Sequence, residues 1–541
     1  MKKCIVLSII LTIFTTALSA QKFERKDSLQ GTITKERAWW NLVHYDIEVN
    51  IDINSKFISG KNTIQYEVLE SDSIIQIDLQ SPMKLTLARQ NGSFLTYKRE
   101  YGAYFIKLPD VQEKGSTQEI TIAFEGNPVE SMNPPWDGGF VWKKDKNQNP
   151  FIANANQSIG VSAWLPSKDI PYDEPDLGMD IRISSPENVI SVSNGRLLET
   201  TKNPDGTKTF YWKVENPING YSINMNLADY VHFNDVFEGE KGPLDLDFYV
   251  LSYNLEKAKK QFKQVPKMLE AFEHWFGPYP FYNDGYKLVE VPYLGMEHQS
   301  SVTYGNNYEN GYLGSDLSDT GEGLKFDFII IHESGHEWFA NSITNYDIAD
   351  MWIHESFTTY SEVLYLDYHF GKASGNSYLK GFRERAINLS PIIGIYGVNK
   401  RGSGDMYIKG AAMIHTLRQI MDDDEKFREL LRAINKEYYH QTVSSATLEK
   451  FIMDYTNLEL SGFFDQYLRN IKIPVLQFKI NNGVLKYRFR NTVDNFQIPL
   501  KTTINDEVVW LKPTKKWQTY ASEAKVSQFN LDDNFYVYLR N

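Results

Sequence analysis

The stretch Phe328-Ile329-Ile330-Ile331-His332-Glu333-Ser334-Gly335-His336 decides how this chain is read. The apolar run ahead of it, and Trp338-Phe339-Ala340 behind it, suit a helix buried on all sides; the spacing predicts one over 325–341. Positions i and i+4 of a helix share a face about one turn apart. His332 and His336 can therefore offer two imidazoles to one ion, and zinc takes imidazole nitrogen at about 2.0–2.1 Å. Glu333, beside the first ligand, is then placed to act on a water that the metal activates. The plain alternative is two unrelated histidines on a helix surface.

A catalytic zinc needs a third protein ligand and an open position. Trp352-Ile353-His354-Glu355-Ser356-Phe357 opens a second expected helix, 354–370, with eighteen residues between His336 and Glu355. That is enough to end one helix, turn and begin an antiparallel one. His354 competes as a ligand, but it points about 100° away on the same helix. Glu355 is preferred, because two histidines and a glutamate form a known hydrolytic set. Glu362 and Asp350 are candidate hydrogen-bond partners for the imidazoles, against the plain reading of helix-surface charges.

The surroundings divide by texture. Residues 21–252 read as a β domain: Tyr45 to Ile53 alternates apolar and polar residues, with similar runs at Ile64 to Val68, Ile74 to Leu79, Ile120 to Phe124 and Met179 to Ile183. Residues 253–472 read as mostly helical, with helices over 255–276, 408–421, 426–439 and 446–455 besides the two above. Pro266 is expected to kink or restart the first of these, and Gly277-Pro278 to stop it. Alternation returns in 473–541, around Asn481-Asn482-Gly483, as in a small β-sandwich. There is no internal repeat.

The 541 residues are 42% hydrophobic and 23% charged, which argues against disorder and fibrous repeats. The net charge of −12 argues against a nucleic-acid partner. Residues 1–20 resemble an export leader. Lys2 and Lys3 precede an apolar stretch from Ile5 to Leu18, and Ala17, Ser19 and Ala20 suit cleavage near Ala20 or Gln21. The stretch falls short of the roughly 20 residues that span a bilayer, so no stable membrane insertion is expected after cleavage; a retained anchor is the alternative. A periplasmic or secreted location follows. The single cysteine, Cys4, lies in that leader. It excludes an intrachain disulfide, and the metal chemistry must rest on His and carboxylate.

With these residues in place, the chain resembles the aminopeptidase N family of gluzincin zinc peptidases, which includes leukotriene hydrolase. His332-Glu333-x-x-His336, eighteen residues and Glu355 match its zinc motif, with Trp338-Phe339, Asn341 and Asp350-x-Trp352 as flanks. Its Gly-x-Met-Glu-Asn signature is recognisable in Leu294-Gly295-Met296-Glu297-His298, followed by Thr303-Tyr304. Its Tyr-x-Lys-Gly signature is similar to Tyr407-Ile408-Lys409-Gly410, and a fourth motif to Gln157, Ala163-Trp164-Leu165-Pro166 and Asp169. The resemblance runs from about residue 45 to Pro474.

The resemblance implies a multidomain α+β protein: an N-terminal β-sheet domain, a thermolysin-like, mostly helical catalytic domain and a small C-terminal β-sandwich. It implies one Zn²⁺ per chain on His332, His336 and Glu355, and an aminopeptidase acting on peptides with a free N-terminus. Glu333 would be the general base and Tyr407 the hydrogen-bond donor to the oxyanion. Glu297 and Gln157 would hold the substrate ammonium, with Gly295 and Met296 also at the substrate. Two departures stand out. Leu294 adds bulk where the family has Gly. His298 replaces Asn beside the ammonium site, where a protonated imidazole would repel the amine; it is expected to stay neutral or turn away. The alternatives are a lipid epoxide hydrolase of the leukotriene hydrolase type and a non-catalytic peptide-binding relative. No oligomeric state follows from the sequence.

Overall fold

The structure is a computed structural model that describes residues 23–541. The expected leader and its Cys4 lie outside the described residues.

From Tyr45 on, Trp40–Asp52 buries every second residue, Tyr45, Ile47, Val49 and Ile51, as its alternation requires. It is central in an eight-stranded sheet ordered Arg196–Lys202, Thr207–Val214, Met179–Pro186, Trp40–Asp52, Phe57–Val68, Thr117–Gly126, Lys84–Gln90 and Ser93–Phe94. All neighbours there are antiparallel except Trp40–Asp52 with Met179–Pro186. A four-stranded sheet packs nearby. Within it, Gly139–Lys144 pairs with Pro150–Ala155, the strand that leads directly to Gln157.

The boundary expected at 252 is not a clean break. Tyr230–Gly239 and Gly242–Leu251 form a hairpin that joins Tyr286–Glu290, Val302–Tyr304 and Gly295–Met296 in a five-stranded sheet of the catalytic region. The hairpin serves both sides. Leu244, Leu246, Phe248 and Val250 enter the catalytic core, whereas Tyr249 and Leu251 enter the N-terminal one. Period-2 alternation gives one strand two apolar faces, so texture alone could not assign it.

The helix expected over 255–276 divides into Leu255–Gln261 and Gln264–Phe276. Pro266 falls in the first turn of the second, where its missing N–H costs nothing. Trp352–Phe370, Asp405–Met421, Asp424–Glu437 and Ser445–Thr456 follow close to expectation, and Lys372–Arg383 and Ser461–Leu468 are additional. The small C-terminal region forms a four-stranded and a three-stranded sheet whose apolar faces continue the catalytic core through Leu476, Leu500 and Phe535.

The central helix is shorter than its apolar run. It spans Phe328–Gly335, capped by Asp327, which accepts from Ile329 N and Ile330 N at 3.1 and 3.3 Å. Helical geometry is lost at Phe339 (φ −119°, ψ 83°) and Ala340 (φ 153°), so the stretch expected to continue to 341 turns away. An apolar run reports burial, and here a buried turn is as apolar as the helix before it.

Candidate active site

Two helices carry the candidate metal ligands, Phe328–Gly335 and Trp352–Phe370. They meet closely at Gly335, where a Cβ would stand 2.6 Å from Ser361 Oγ. His332, His336 and Glu355 are all buried and converge. Glu355 Oε2 lies 3.7 Å from His332 Nε2 and 3.4 Å from His336 Nε2. Donors on a tetrahedral zinc at about 2.05 Å are roughly 3.3 Å apart. Glu355 Oε2 has no hydrogen-bond donor, a costly state for a buried carboxylate oxygen unless a cation meets it. The donor set therefore fits zinc. Burial works against ionisation of Glu355, but the imidazoles outweigh it and hold the carboxyl below its ordinary range.

Each imidazole is oriented from behind. His332 Nδ1 is 2.7 Å from Glu362 Oε1, and Tyr378 donates to the other oxygen of Glu362. His336 Nδ1 is 3.1 Å from the Phe339 carbonyl and 3.0 Å from Thr358 Oγ1. The loss of helix at Phe339 has a consequence here: its carbonyl, released from the helical ladder, turns to the imidazole. Both contacts keep a proton on Nδ1, so that when a metal takes the place of the Nε2 protons the Nε2 lone pairs are aimed at it. Glu362 thus takes the expected supporting place, and Asp350 does not. Asp350 accepts from Tyr396 OH at 2.6 Å and from Ser445 N at 3.2 Å, which pins a connecting loop. His354 is not available as a ligand: its Nε2 accepts from Asn345 N at 2.8 Å, and burial pushes it down to about 3.

Glu333 faces the same cleft, and burial raises its carboxyl to about 7. Gln157 Nε2 donates to Glu297 Oε1 at 2.5 Å and to Glu355 Oε1 at 3.3 Å, so the β domain reaches into the metal site. Burial also raises the Glu297 carboxyl. Tyr407, on Asp405–Met421, donates to Glu355 Oε1 at 2.9 Å; burial and that carboxylate hold its phenol well above its ordinary value. Gly295 and Met296 form a short edge strand against Val302–Tyr304. A Cβ on Gly295 would stand 2.6 Å from Ile329 Cγ2, so 295 is where the backbone presses on the central helix. Leu294 contributes its bulk to the cleft wall.

His298 is fully buried, held near 3 by burial, and does not line the cleft. Burial favours its neutral form, and it is turned away from the cleft. Lys409 of the Tyr-x-Lys-Gly motif is not in the cleft either; its Nζ donates to the Asn470 carbonyl at 2.6 Å.

All nine sequence-derived residues line one cleft of about 300 Å³. Trp136, Tyr312 and Arg401 line it too, and none was singled out from the sequence. They sit on irregular segments, where no periodicity or ligand spacing signals a direction; the only hint was an aromatic residue after Pro134-Pro135.

Two family models and several known proteins match the chain. The Peptidase M1 N-terminal domain matches residues 42–221, and the Peptidase family M1 domain matches residues 260–467. Endoplasmic reticulum aminopeptidase 1 of Mus musculus is 22% identical over 428 residues, 74% of this chain and 44% of that protein. The chain thus spans under half of that relative. Leukotriene A-4 hydrolase of Xenopus laevis is 22% identical over 455 residues, 77% of this chain and 68% of that protein. The structure is similar to the M1 zinc metallopeptidase of Deinococcus radiodurans, with a TM-score of 0.69 at 19% identity, covering 81% of this chain and 95% of that one. At that identity the likeness is one of fold.

Proposed function

The chain belongs to peptidase family M1, and from that premise we propose that it is a zinc aminopeptidase that removes the N-terminal residue from peptides. One observation carries the reading. The Gln157 amide bonds both Glu297 and the metal-ligand candidate Glu355. The place for an ammonium and the place for a polarised carbonyl are therefore about one residue apart. A peptide N-terminus has that spacing between its amine and its first carbonyl. An internal peptide bond brings no ammonium and would leave buried Glu297 with only the neutral Gln157 amide and no substrate cation.

Zinc held by His332, His336 and Glu355 would supply a Lewis acid that polarises the carbonyl and lowers the pKa of water. Glu333 takes the proton of the attacking water and passes it to the leaving amine. Tyr407 keeps its proton and donates a hydrogen bond to the developing oxyanion. Glu297 and Gln157 hold the ammonium, and Gly295 and Met296 form the edge beside it. A lipid epoxide presents no ammonium, and a purely binding relative has no use for a base beside a complete ligand set.

The leader at residues 1–20 supports export to the periplasm or the outside. Among the described residues no helix is long and apolar enough to cross a membrane.

The test is turnover of aminoacyl-anilides by the purified chain. Activity is expected, lost on chelation and restored by one equivalent of zinc. No turnover across a panel of all standard aminoacyl groups overturns the reading.

A further inference from the structure

We propose that the N-terminal helix Arg25–Gly31, with Thr32 after it, is a positioning strap that holds the Gln157 wall of the cleft against the loop leading to Tyr407. The inference rests on the aminopeptidase reading above for its functional consequence.

The strap touches both walls. On the β-domain side, Gln30 Nε2 donates to the Ile159 carbonyl at 3.1 Å, two residues beyond Gln157; Gln80 Nε2 donates to the same carbonyl at 2.6 Å. On the catalytic side, Thr32 Oγ1 donates to the Gly397 carbonyl at 2.6 Å, and Asn399 N donates to the Asp27 carbonyl at 3.3 Å. The backbones approach so closely at Gly31 that a Cβ there would stand 2.2 Å from Val398 C. The 394–399 loop is tied on its far side to the segment before the Glu355 helix. Gly394 N donates to the Ala349 carbonyl and Gly397 N to Asp347 Oδ2, both at 2.9 Å. The loop then runs through Arg401 to Tyr407.

The strap is itself anchored. Arg37, fully buried, donates to the Leu29 and Thr32 carbonyls at 2.8 and 2.9 Å and pairs with Asp78 at 2.5 Å. Gln157 also lines a second cavity of about 300 Å³, together with Gln30, Gly31 and Thr32 of the strap and with Tyr221 and His354. Without the strap, this cavity loses part of its lining and the half-buried Gln157 meets more water. The ammonium site would then be both less well placed and more screened. The metal ligands and Glu333 stand on or directly after the two packed central helices, and Tyr407 on the helix Asp405–Met421, so the loss falls on substrate binding more than on the chemical step.

Gly31→Val in the full chain tests this, because any side chain there must displace the Val398–Asn399 backbone. We expect KM for aminoacyl-anilides to rise about five- to twenty-fold, with kcat within about threefold of wild type. Zinc content should be unchanged, and hydrogen exchange should quicken in 24–34, 156–162 and 394–404. Thr32→Val should shift KM in the same direction by less, and Thr32→Ser should restore it. If Gly31→Val does not fold, Gln30→Ala with Thr32→Val removes both side-chain ties without added bulk and carries the same expectation. Unchanged KM despite faster exchange in 24–34 overturns the proposal, as does unchanged exchange in 156–162 and 394–404. If the peptidase reading is at fault instead, the wild-type chain itself gives no turnover, while the exchange coupling still reports on the strap.

Discussion

The two poles of the cleft are built in opposite ways. His332, His336 and Glu355 come from two successive helices, and the groups that orient the imidazoles, Phe339, Thr358 and Glu362, belong to the same short span. Gln157 and Glu297 are 140 positions apart and follow strands of different sheets, yet they meet at 2.5 Å. The metal pole is set by helical periodicity and one close helix crossing. The amine pole exists only because two domains are packed in one arrangement. Chemistry placed on the first pole should resist disturbance elsewhere in the fold, whereas recognition placed on the second should feel it.

The sharpest separation of the poles comes from Glu333→Gln. It should keep zinc but lower kcat by about 10²–10⁴, the usual worth of a general base. Metal analysis beside anilide kinetics decides it, and retained activity breaks the assignment of the base. Glu297→Ala acts on the other pole. We expect kcat/KM for free-amine peptides to fall by roughly 30- to 1000-fold, or about 2–4 kcal/mol. N-acetylated peptides should be little affected, and equal losses for both would remove the ammonium role.

Glu362→Gln tests the support behind the metal pole. Zinc affinity should fall about 10- to 100-fold, with kcat near wild type once loaded. Competition with a chelator measures this, and an unchanged affinity would mean that the contact with His332 does not matter.

The smallest effect is expected at His298 and is read as stability. Burial holds its folded-state value near 3, against about 6.5 when unfolded. Between those values the unfolded chain binds a proton that the folded chain excludes. The contribution of His298 is therefore fully present above pH 6.5 and is lost as pH falls toward 3, by up to about 1.4 kcal/mol per pH unit. The urea midpoint of wild type relative to His298→Asn should be level above pH 7 and decline below pH 6. A difference that stays constant to pH 5 would mean the imidazole is solvated, and so free to charge beside the amine.

His332, Glu333, His336 and Glu355 were legible from spacing, because the helix repeat converts sequence distance into direction. The chemistry of ligand sets also separated Glu355 from its neighbour His354. Glu297, Gln157 and Tyr407 were legible only through family resemblance; nothing in their own spacing aims them at a metal. Asp350 was misread because a carboxylate near a ligand in sequence need not be near it in space. The apolar run to 341 could not show where the helix stops, since hydrophobicity reports burial and not backbone angle.

The sequence by itself determined the β–helical–β order of the regions, the spacing that brings His332, Glu333, His336 and Glu355 together, and the absence of cysteine beyond Cys4. Those depend on composition and on contacts within a few helical turns. Only the tertiary structure decided that the 230–251 hairpin serves two cores, that Phe339 turns its carbonyl to His336, that His298 faces away, and that Gln157 reaches Glu355 from another domain. These are consequences of long-range packing, where the energy of a contact depends on which surfaces are buried together and not on how far apart their residues lie along the chain.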